Sequence, residues 1–457
     1  MQRFDAIVIG GGPGGYKTAA LLGRRGVRTA LIEQDALGGV CLNEGCIPFK
    51  SCLHAAQILR DAQTLRAQGI LSGGALSLSL PALAAHTRET VEALRQSIAA
   101  ELEDAGVTTV YGTAQIVSCT QDGMTVSVGC DVCRCQKLIL ATGTVQDPLP
   151  TVPDGASYDV LDVRALFGLT VLPKRIDVLG AGAAGLEAAS FLSDAGCVVT
   201  LIDSAPRIGR RLDAEIRCAL ERILRKKGVQ ILTQTRLERL EPAQIVYRQD
   251  GRTVTRSPHA LLCTCGRRPR FDPTQLSLLG VRYTPDGITV DAQCRTHNVD
   301  VFACGDVTGQ MMLAHTAYRQ AQVIADTICG VDARMDYSVI PRVLYTSPEI
   351  LTVGLCEQAC ASAAVGYTAR TLPMTYSGRY FAEHGRDGAI AKMIVDRQDR
   401  VIGMHILAQG ASELALAAEM MVCGRMTAHE VGSLVFPHPT YGEIFGALAE
   451  SFTNEGQ

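Results

Sequence analysis

An α/β chain with two Rossmann-like domains and a C-terminal α+β domain is the fold this sequence predicts, on three observations. Residues Asp5 to Glu33 read as strand, glycine-rich turn, helix and strand. The same pattern returns near Arg175, and from about Pro341 the composition turns to mixed α and β with no further glycine fingerprint. A length of 457 residues has room for about three domains.

Composition and charge exclude several classes. A net charge of -3 and a pI near 6.3 give no basic field for nucleic acid. No apolar run approaches the roughly eighteen residues of a membrane helix, so no membrane contact is expected. Met1, Gln2, Arg3 and Phe4 lead straight into a strand without a cleavable signal pattern, and a cytoplasmic location is expected. Seventeen cysteines, an odd number at irregular spacing, do not make a secreted disulfide framework. Cys130, Cys133 and Cys135 fall in a strand-turn-strand pattern with no matching His/Cys group nearby, so no metal is expected there.

In the first fold, Ala6-Ile7-Val8-Ile9 is an unbroken apolar run, as a buried parallel strand requires. Gly10, Gly12 and Gly15 then fit G-x-G-x-x-G. Gly12 lets the backbone approach a pyrophosphate, Gly15 lets the helix pack on the strand, and the helix N-terminus supplies amide donors. The next strand, Thr29 to Ile32, ends at Glu33, whose carboxylate can accept both ribose hydroxyls. Strand, turn, helix and acid together predict a dinucleotide site.

Cys41 and Cys46 follow almost at once, five residues apart in Gly38-Gly-Val-Cys-Leu-Asn-Glu-Gly-Cys-Ile-Pro-Phe-Lys50. In a regular helix that spacing puts the Cα atoms roughly 8.6 Å apart, too far for a disulfide, which wants about 4.4 to 6.8 Å. A bridge needs a distorted turn, which Asn43 and Gly45 make cheap. Two reduced, buried cysteines are the other reading. Lys50 reads either as a surface charge or as a cation meeting an electron-rich ring. Ala84 to Leu102 has helical periodicity, and Leu138 to Gly143 is a strand ending in small residues.

The second fold has Ile176 to Leu179 as its strand, Gly180, Gly182 and Gly185 in its turn, and a helix expected over 186–195. Its next strand, Val198 to Ile202, ends at Asp203. An acid there repels a 2′-phosphate and favours NAD over NADP, a preference that Arg207, Arg210 and Arg211 could soften. Two nucleotide folds in one chain suggest a flavoprotein fed by a nicotinamide. Gly305-Asp306 ends a strand, where the carboxylate either bonds a ribityl hydroxyl or is a turn residue. Near the C-terminus, Pro439 is placed to start a helix with Glu443 one turn along, able to accept from the His438 ring. A carboxylate-oriented His is the form of a general base near a thiol; a capped helix start is the alternative.

Taken in order, these motifs resemble the FAD-binding pyridine nucleotide-disulfide oxidoreductases, and within that family the dihydrolipoamide dehydrogenases most. The likeness covers nearly the whole chain. It rests on Gly10 to Gly15, Gly38 to Lys50, Ala141-Thr142-Gly143, Gly180 to Glu187, Gly266-Arg-Arg-Pro269, Gly305-Asp306, Met312-Leu-Ala-His315, Tyr345-Thr-Ser-Pro-Glu349 and His438-Pro-Thr440 with Glu443. The resemblance implies that Cys41 and Cys46 form the redox disulfide, Cys41 exchanging with substrate and Cys46 facing the flavin. Lys50 and Glu187 match an ion pair near the flavin N5. His438, held by Glu443, matches the base and in this family reaches the cysteines of the other subunit, which implies a homodimer.

Further FAD contacts are implied at Gly10, Gly12, Gly14, Gly15, Glu33, Gly39, Lys50 and Ala114, then at Thr142, Gly143, Asp306, Met312, Ala314 and His315. NAD contacts are implied at Gly180, Gly182, Gly185, Glu187, Asp203, Leu237 and Gly266. The FAD domain would span 1–145 and 271–340, the NAD domain 146–270 and the interface 341–457. The implied reaction oxidises dihydrolipoamide with NAD. The substrate arrives on the lipoyl carrier domain of a 2-oxoacid dehydrogenase, acetoin or glycine cleavage system. An NADPH-dependent disulfide reductase of the glutathione reductase type is the nearest rival, against which Asp203 argues. A mercuric reductase is less favoured, because the tail Glu450 to Gln457 holds no cysteine pair. A non-catalytic flavoprotein redox sensor would need neither His438 nor Glu443. Three positions depart from the family pattern: Phe49 for a small Ser or Thr, Arg270 for Asn, and Phe436 for a frequent first His.

Overall fold

The computed structural model describes residues 2–453, so Met1 and residues 454–457 of the tail lie outside the described residues. The chain divides into two compact units. One takes in the residues up to Ser51, Pro81–Pro148 and Gly266–Tyr337; the other takes in Cys52–Leu80, Leu149–Cys265 and the residues from Ser338 on.

The first unit is built on a five-stranded parallel sheet, ordered Val301–Ala303, Lys137–Leu140, Ala6–Ile9, Thr29–Glu33, Thr108–Tyr111. Ile7, Val8, Ala30 and Leu31 are fully buried, as continuous apolar runs in central parallel strands should be. Helix α1 (Pro13–Arg24) begins directly after Gly12, with Pro13 in its first turn where a missing N–H costs nothing. Helices α2 (Gly39–Glu44) and α3 (Cys46–Ala67) follow, and the helix expected over 84–102 runs Leu80–Asp104. An antiparallel meander of Ala114–Thr120, Gly123–Val128 and Asp131–Cys135 buries Val126, Cys133 and Cys135, while Cys130 is exposed.

The second unit repeats this plan. Its parallel sheet is ordered Asp159–Asp162, Ala260–Cys263, Arg175–Leu179, Val198–Ile202, Gln230–Leu232, and its meander is Thr235–Glu241, Gln244–Gln249, Arg252–Arg256. Helix α4 (Ala183–Asp194) starts earlier than the sequence reading of 186–195. Ala183, Ala184 and Gly185 are small enough to make its first turn against the strand instead of a loop. Helix α5 (Ala214–Lys226) is capped by Asp213, which accepts from the Glu215 amide.

The C-terminal part of that unit is a five-stranded antiparallel sheet, ordered Arg342–Leu344, Glu349–Gly354, Val401–Ala408, Ile390–Asp396, Tyr367–Pro373, with helices on it, as the α+β reading predicts. Helix α6 (Gly378–His384) and helix α7 (Glu443–Thr453) belong to it. Pro439 does not start a helix: α7 begins at Glu443, and the His438–Pro439 bond is cis. The Thr440 carbonyl is already engaged by the Ser377 hydroxyl, which leaves residues 438–442 as an ordered loop. Lys392, buried to 1% exposure, reaches from this sheet to Asp213 at 3.1 Å, Glu215 at 3.3 Å and Glu357. Burial alone would lower its pKa, but Glu357 and Asp213 more than restore it.

Candidate active site

A dinucleotide's phosphates need open space at a helix N-terminus and amides not already used. Both glycine turns meet that test. Gly10 and Gly180 have φ of 104° and 106°, which a side chain rarely adopts, and a Cβ at Gly15 or Gly185 would run into the carbonyl oxygen of Gly10 or Gly180. The helix is thereby drawn onto its strand. In front of the helix the opposite holds: a Cβ at Gly12 would find only the Gly39 Cα, at 3.9 Å, and one at Gly182 nothing within 4 Å. Neither α1 nor α4 has a side-chain cap, in contrast with Asp213 on α5. The helix Ala314–Ile328, which presents Ala314 and His315 in its first turn, is also uncapped, and Met312 just before it is exposed.

The strand-end acids hold their turns open. Glu33 accepts from the Gly11 amide at 2.6 Å and the Asp35 amide at 2.8 Å; Asp203 accepts from the Ala181 amide at 2.6 Å and the Ala205 amide at 2.7 Å. Beyond each acid, the Gly112 amide donates to the Glu33 carbonyl and the Thr235 amide to the Asp203 carbonyl. Ala114 and Leu237 each stand two residues further on, at matching places in the two folds.

Cys41 lies in α2 and Cys46 opens α3, with Gly45 (φ -135°, ψ -102°) breaking the helix between them. The distortion expected of Gly45 is therefore present. Asn43 stays helical and fastens the turn, donating to the Leu37 and Gly39 carbonyls at 3.0 and 2.8 Å and accepting from Arg95 at 2.7 Å. Both cysteines are free thiols, hydrogen-bonded to each other. That bond, then burial, pushes the Cys41 thiol up, while Lys50 pulls the other way. α2 is seated on the glycine turn itself: the Gly38 amide donates to Gly11 O at 2.8 Å, and Gly39 (φ 58°) has no room for a side chain beside Gly12. Gly14 is packed as closely, against the Cys304 sulfur.

Asp306 sits in a 3-10 turn, Gly305–Thr308, in the same unit. Burial raises its carboxyl, opposed by Arg267 and a hydrogen bond with Thr144. The Arg270 amide donates to the Gly143 carbonyl at 2.9 Å and the Thr142 hydroxyl donates to the Arg270 carbonyl, so the 141–143 and 267–270 segments are stitched together. Gly266, with φ of 86°, accepts from the Asp147 amide in that unit.

In the second unit Glu187, buried on α4, accepts from the Tyr345 amide at 2.9 Å. Lys50 belongs to the first unit. His438 is exposed, and its Nδ1 is 2.8 Å from Glu443 Oε1; the other carboxylate oxygen accepts from the Thr440 amide at 2.9 Å. His438 first, then that amide, hold the Glu443 carboxyl below its ordinary range, so it stays ionised wherever the imidazole works.

Residues 4–321 match the family model described as pyridine nucleotide-disulphide oxidoreductase, and residues 340–449 match its dimerisation domain. The chain belongs to that family. It is accordingly an oxidoreductase working with FAD and NAD(H). It is 31% identical over 456 residues to the dihydrolipoyl dehydrogenase of Chlamydia pneumoniae, covering 99% of this chain and 98% of that one. With the enzyme of the same name from Pseudomonas aeruginosa it shares 32% over 458 residues, at 96% coverage of both. Among solved structures it resembles LpdA from Mycobacterium tuberculosis, with a TM-score of 0.89 and 24% identity over 99% of this chain and 100% of that chain. It also resembles the HOCl-induced flavoprotein disulfide reductase RclA from Escherichia coli, with a TM-score of 0.84 and 25% identity over 98% and 99% of the two chains.

The departures from the family pattern have structural places. Phe49 is buried at 4% exposure with its ring 5.8 Å from Lys50 Nζ, so it fills the core beside the dithiol helix. Arg270 Nη2 donates to Gln34 at 2.7 Å, next to Glu33. Phe436 packs its ring against Gly446 of α7. Sequence reasoning missed the residues that brace the His438 loop, chiefly Tyr441, Glu383 and His384. Tyr441 lies between His438 and Glu443, but its partners are more than fifty residues away in the chain.

Proposed function

We propose that the protein is a dihydrolipoyl dehydrogenase, reoxidising dihydrolipoamide with NAD through a Cys41–Cys46 disulfide and FAD. The observation that carries this is the hydrogen-bonded Cys41–Cys46 pair seated on the first glycine turn, in a chain that also holds a carboxylate-oriented His438. The curated relatives of that name, matched over nearly their whole length, support it.

His438 takes the proton from a substrate thiol, and Glu443 steadies the resulting imidazolium. The thiolate attacks Cys41 Sγ; the Cys41–Cys46 bond breaks and Cys46 leaves as thiolate, giving a mixed disulfide. The second substrate thiolate attacks the substrate sulfur in that bond, closing the lipoyl disulfide and releasing Cys41. Bound flavin supplies the two-electron acceptor that returns the dithiol to the disulfide, with NAD as final acceptor. Lys50 and Glu187 form the ion pair at the flavin–nicotinamide contact. Domains run 1–145 with 271–340 for FAD, 146–270 for NAD and 341–457 for the interface of a homodimer, in which His438 serves the partner's cysteines. The dimer works in the cytoplasm on the lipoyl carrier domain of a 2-oxoacid dehydrogenase, acetoin or glycine cleavage system; among the described residues no helix is long and apolar enough to cross a membrane.

The deciding assay measures turnover of dihydrolipoamide against glutathione disulfide, each with NAD(H) and NADP(H). Preference for glutathione disulfide with NADPH would replace this reading with the disulfide-reductase one. His438→Gln is expected to cut lipoamide turnover by about a hundredfold or more. An undiminished rate removes the base.

A further inference from the structure

His438 is exposed on a loop, and its orientation needs a cause beyond Glu443, since Glu443 is only the first residue of α7. The loop is gripped from outside by α6. Just before α6, the Ser377 hydroxyl donates to the Thr440 carbonyl at 2.9 Å. At its far end, the Tyr441 hydroxyl donates to Glu383 and its oxygen lies 2.8 Å from His384 Nε2. Because that hydroxyl proton is committed to Glu383, His384 must carry its proton on Nε2 and donate it to Tyr441. The Tyr441 ring is held as well: Arg379 lies 5.4 Å over one face, and the Tyr380 ring meets it edge-on at 5.1 Å. Tyr380 is itself fixed, donating to Asp387 at 2.7 Å and accepting from the Gln409 amide at 3.2 Å.

Thr440 and Tyr441 are thus fastened to the two ends of one rigid helix. The Thr440 amide is also the second donor to the carboxylate that orients His438. We propose that Tyr441, with Glu383 and His384, is a positioning clamp for the catalytic base: α6 fixes residues 440–441, these fix the Glu443 carboxylate, and that carboxylate fixes the His438 ring. Tyr441 touches no reacting atom, and its effect passes entirely through the His438–Glu443 pair. This rests on the reading of His438 as the base.

The test compares Tyr441→Phe with His384→Gln and His384→Ala in the full-length, flavin-loaded protein. It reads kcat and KM for dihydrolipoamide, the pH profile of kcat, NADH-to-dye reduction and the unfolding midpoint. Phenylalanine keeps the ring contacts and removes only the hydroxyl. Tyr441→Phe should lower kcat about three- to tenfold with KM within about twofold, the usual worth of a loosened but present catalytic group. It should also move the acid limb of the profile toward lower pH, because an imidazolium paired less firmly with Glu443 gives up its proton sooner. Dye reduction should not change. His384→Gln, whose amide can still donate to Tyr441, should lie closer to the parent than His384→Ala. A parental pH profile and kcat in Tyr441→Phe overturn the clamp, as does a fall in lipoamide and dye turnover together, which would mean general damage. His438→Gln, run alongside, separates the two ideas: if it alone loses turnover the base stands and the clamp falls, and if it keeps turnover the base reading has failed.

Discussion

The two nucleotide folds are near copies whose differences are confined to one place. Each has a glycine at φ near 105° ending its first strand, an uncapped helix starting at the third residue of its turn, and an acid that accepts two loop amides in the same pattern. Even the return of the chain is matched: the Gly38 amide donates to Gly11 O at 2.8 Å and the Gly209 amide to Ala181 O at 2.9 Å. Past that hydrogen bond the two chains part. After Gly38 comes Gly39, pressed on Gly12, and then the sulfur-bearing α2; after Gly209 come the exposed Arg210 and Arg211. Binding is therefore written in backbone geometry common to both folds, while chemistry in one and cofactor choice in the other are written in the segment added after the second strand.

Four outcomes would sharpen or break that contrast. Changing the addition to the first fold should cost the most: Cys46→Ser should abolish lipoamide turnover while NADH-to-dye reduction persists, and retained lipoamide turnover would refute the disulfide role. Gly15→Val and Gly185→Val put the same collision into the two copies. The first should purify without flavin colour, and the second yellow but with NADH oxidation reduced by about a hundredfold or more, since the helix can no longer close on its strand. Equal flavin loss in both would end the division of labour. Asp203→Arg, in the second fold alone, should weaken NAD by about tenfold in kcat/KM and favour NADP, read from the ratio of the two. The smallest effect is expected from Arg211→Ala, which should lower residual NADP turnover by about twofold and leave NAD unaltered.

Much of this is legible because the decisive signals are local. Gly10 to Glu33 and Gly180 to Asp203 carry their meaning within some twenty-five residues, and apolar runs such as Ile7-Val8 can only be buried strands. The Gly45 break is legible too, since regular helix and a Cys41–Cys46 pairing are incompatible. The start of α7 is not, because Pro439 is an ordinary helix opener until the Ser377 hydroxyl takes the Thr440 carbonyl from elsewhere in the chain. The equivalence of Ala114 and Leu237 is hidden for a similar reason. It lies in where each meander leaves its sheet, and nothing in the two residues themselves signals it. Tyr441 shows the limit most plainly: along the chain it is a spacer between Thr440 and Glu443, and only the fold brings Glu383 and His384 to it.

The buried Lys392 has a bearing on how the molecule can be cut. The boundary near residue 340 invites separate expression of the two parts of the second unit, yet it runs between this ammonium and Asp213, a carboxylate with no exposure of its own. A fragment ended there would keep an interior anion stripped of its counter-ion, a defect worth about 3–5 kcal/mol, comparable to the whole stability margin of many domains. The NAD-binding part and the C-terminal sheet should thus be inherited, expressed and denatured as one piece.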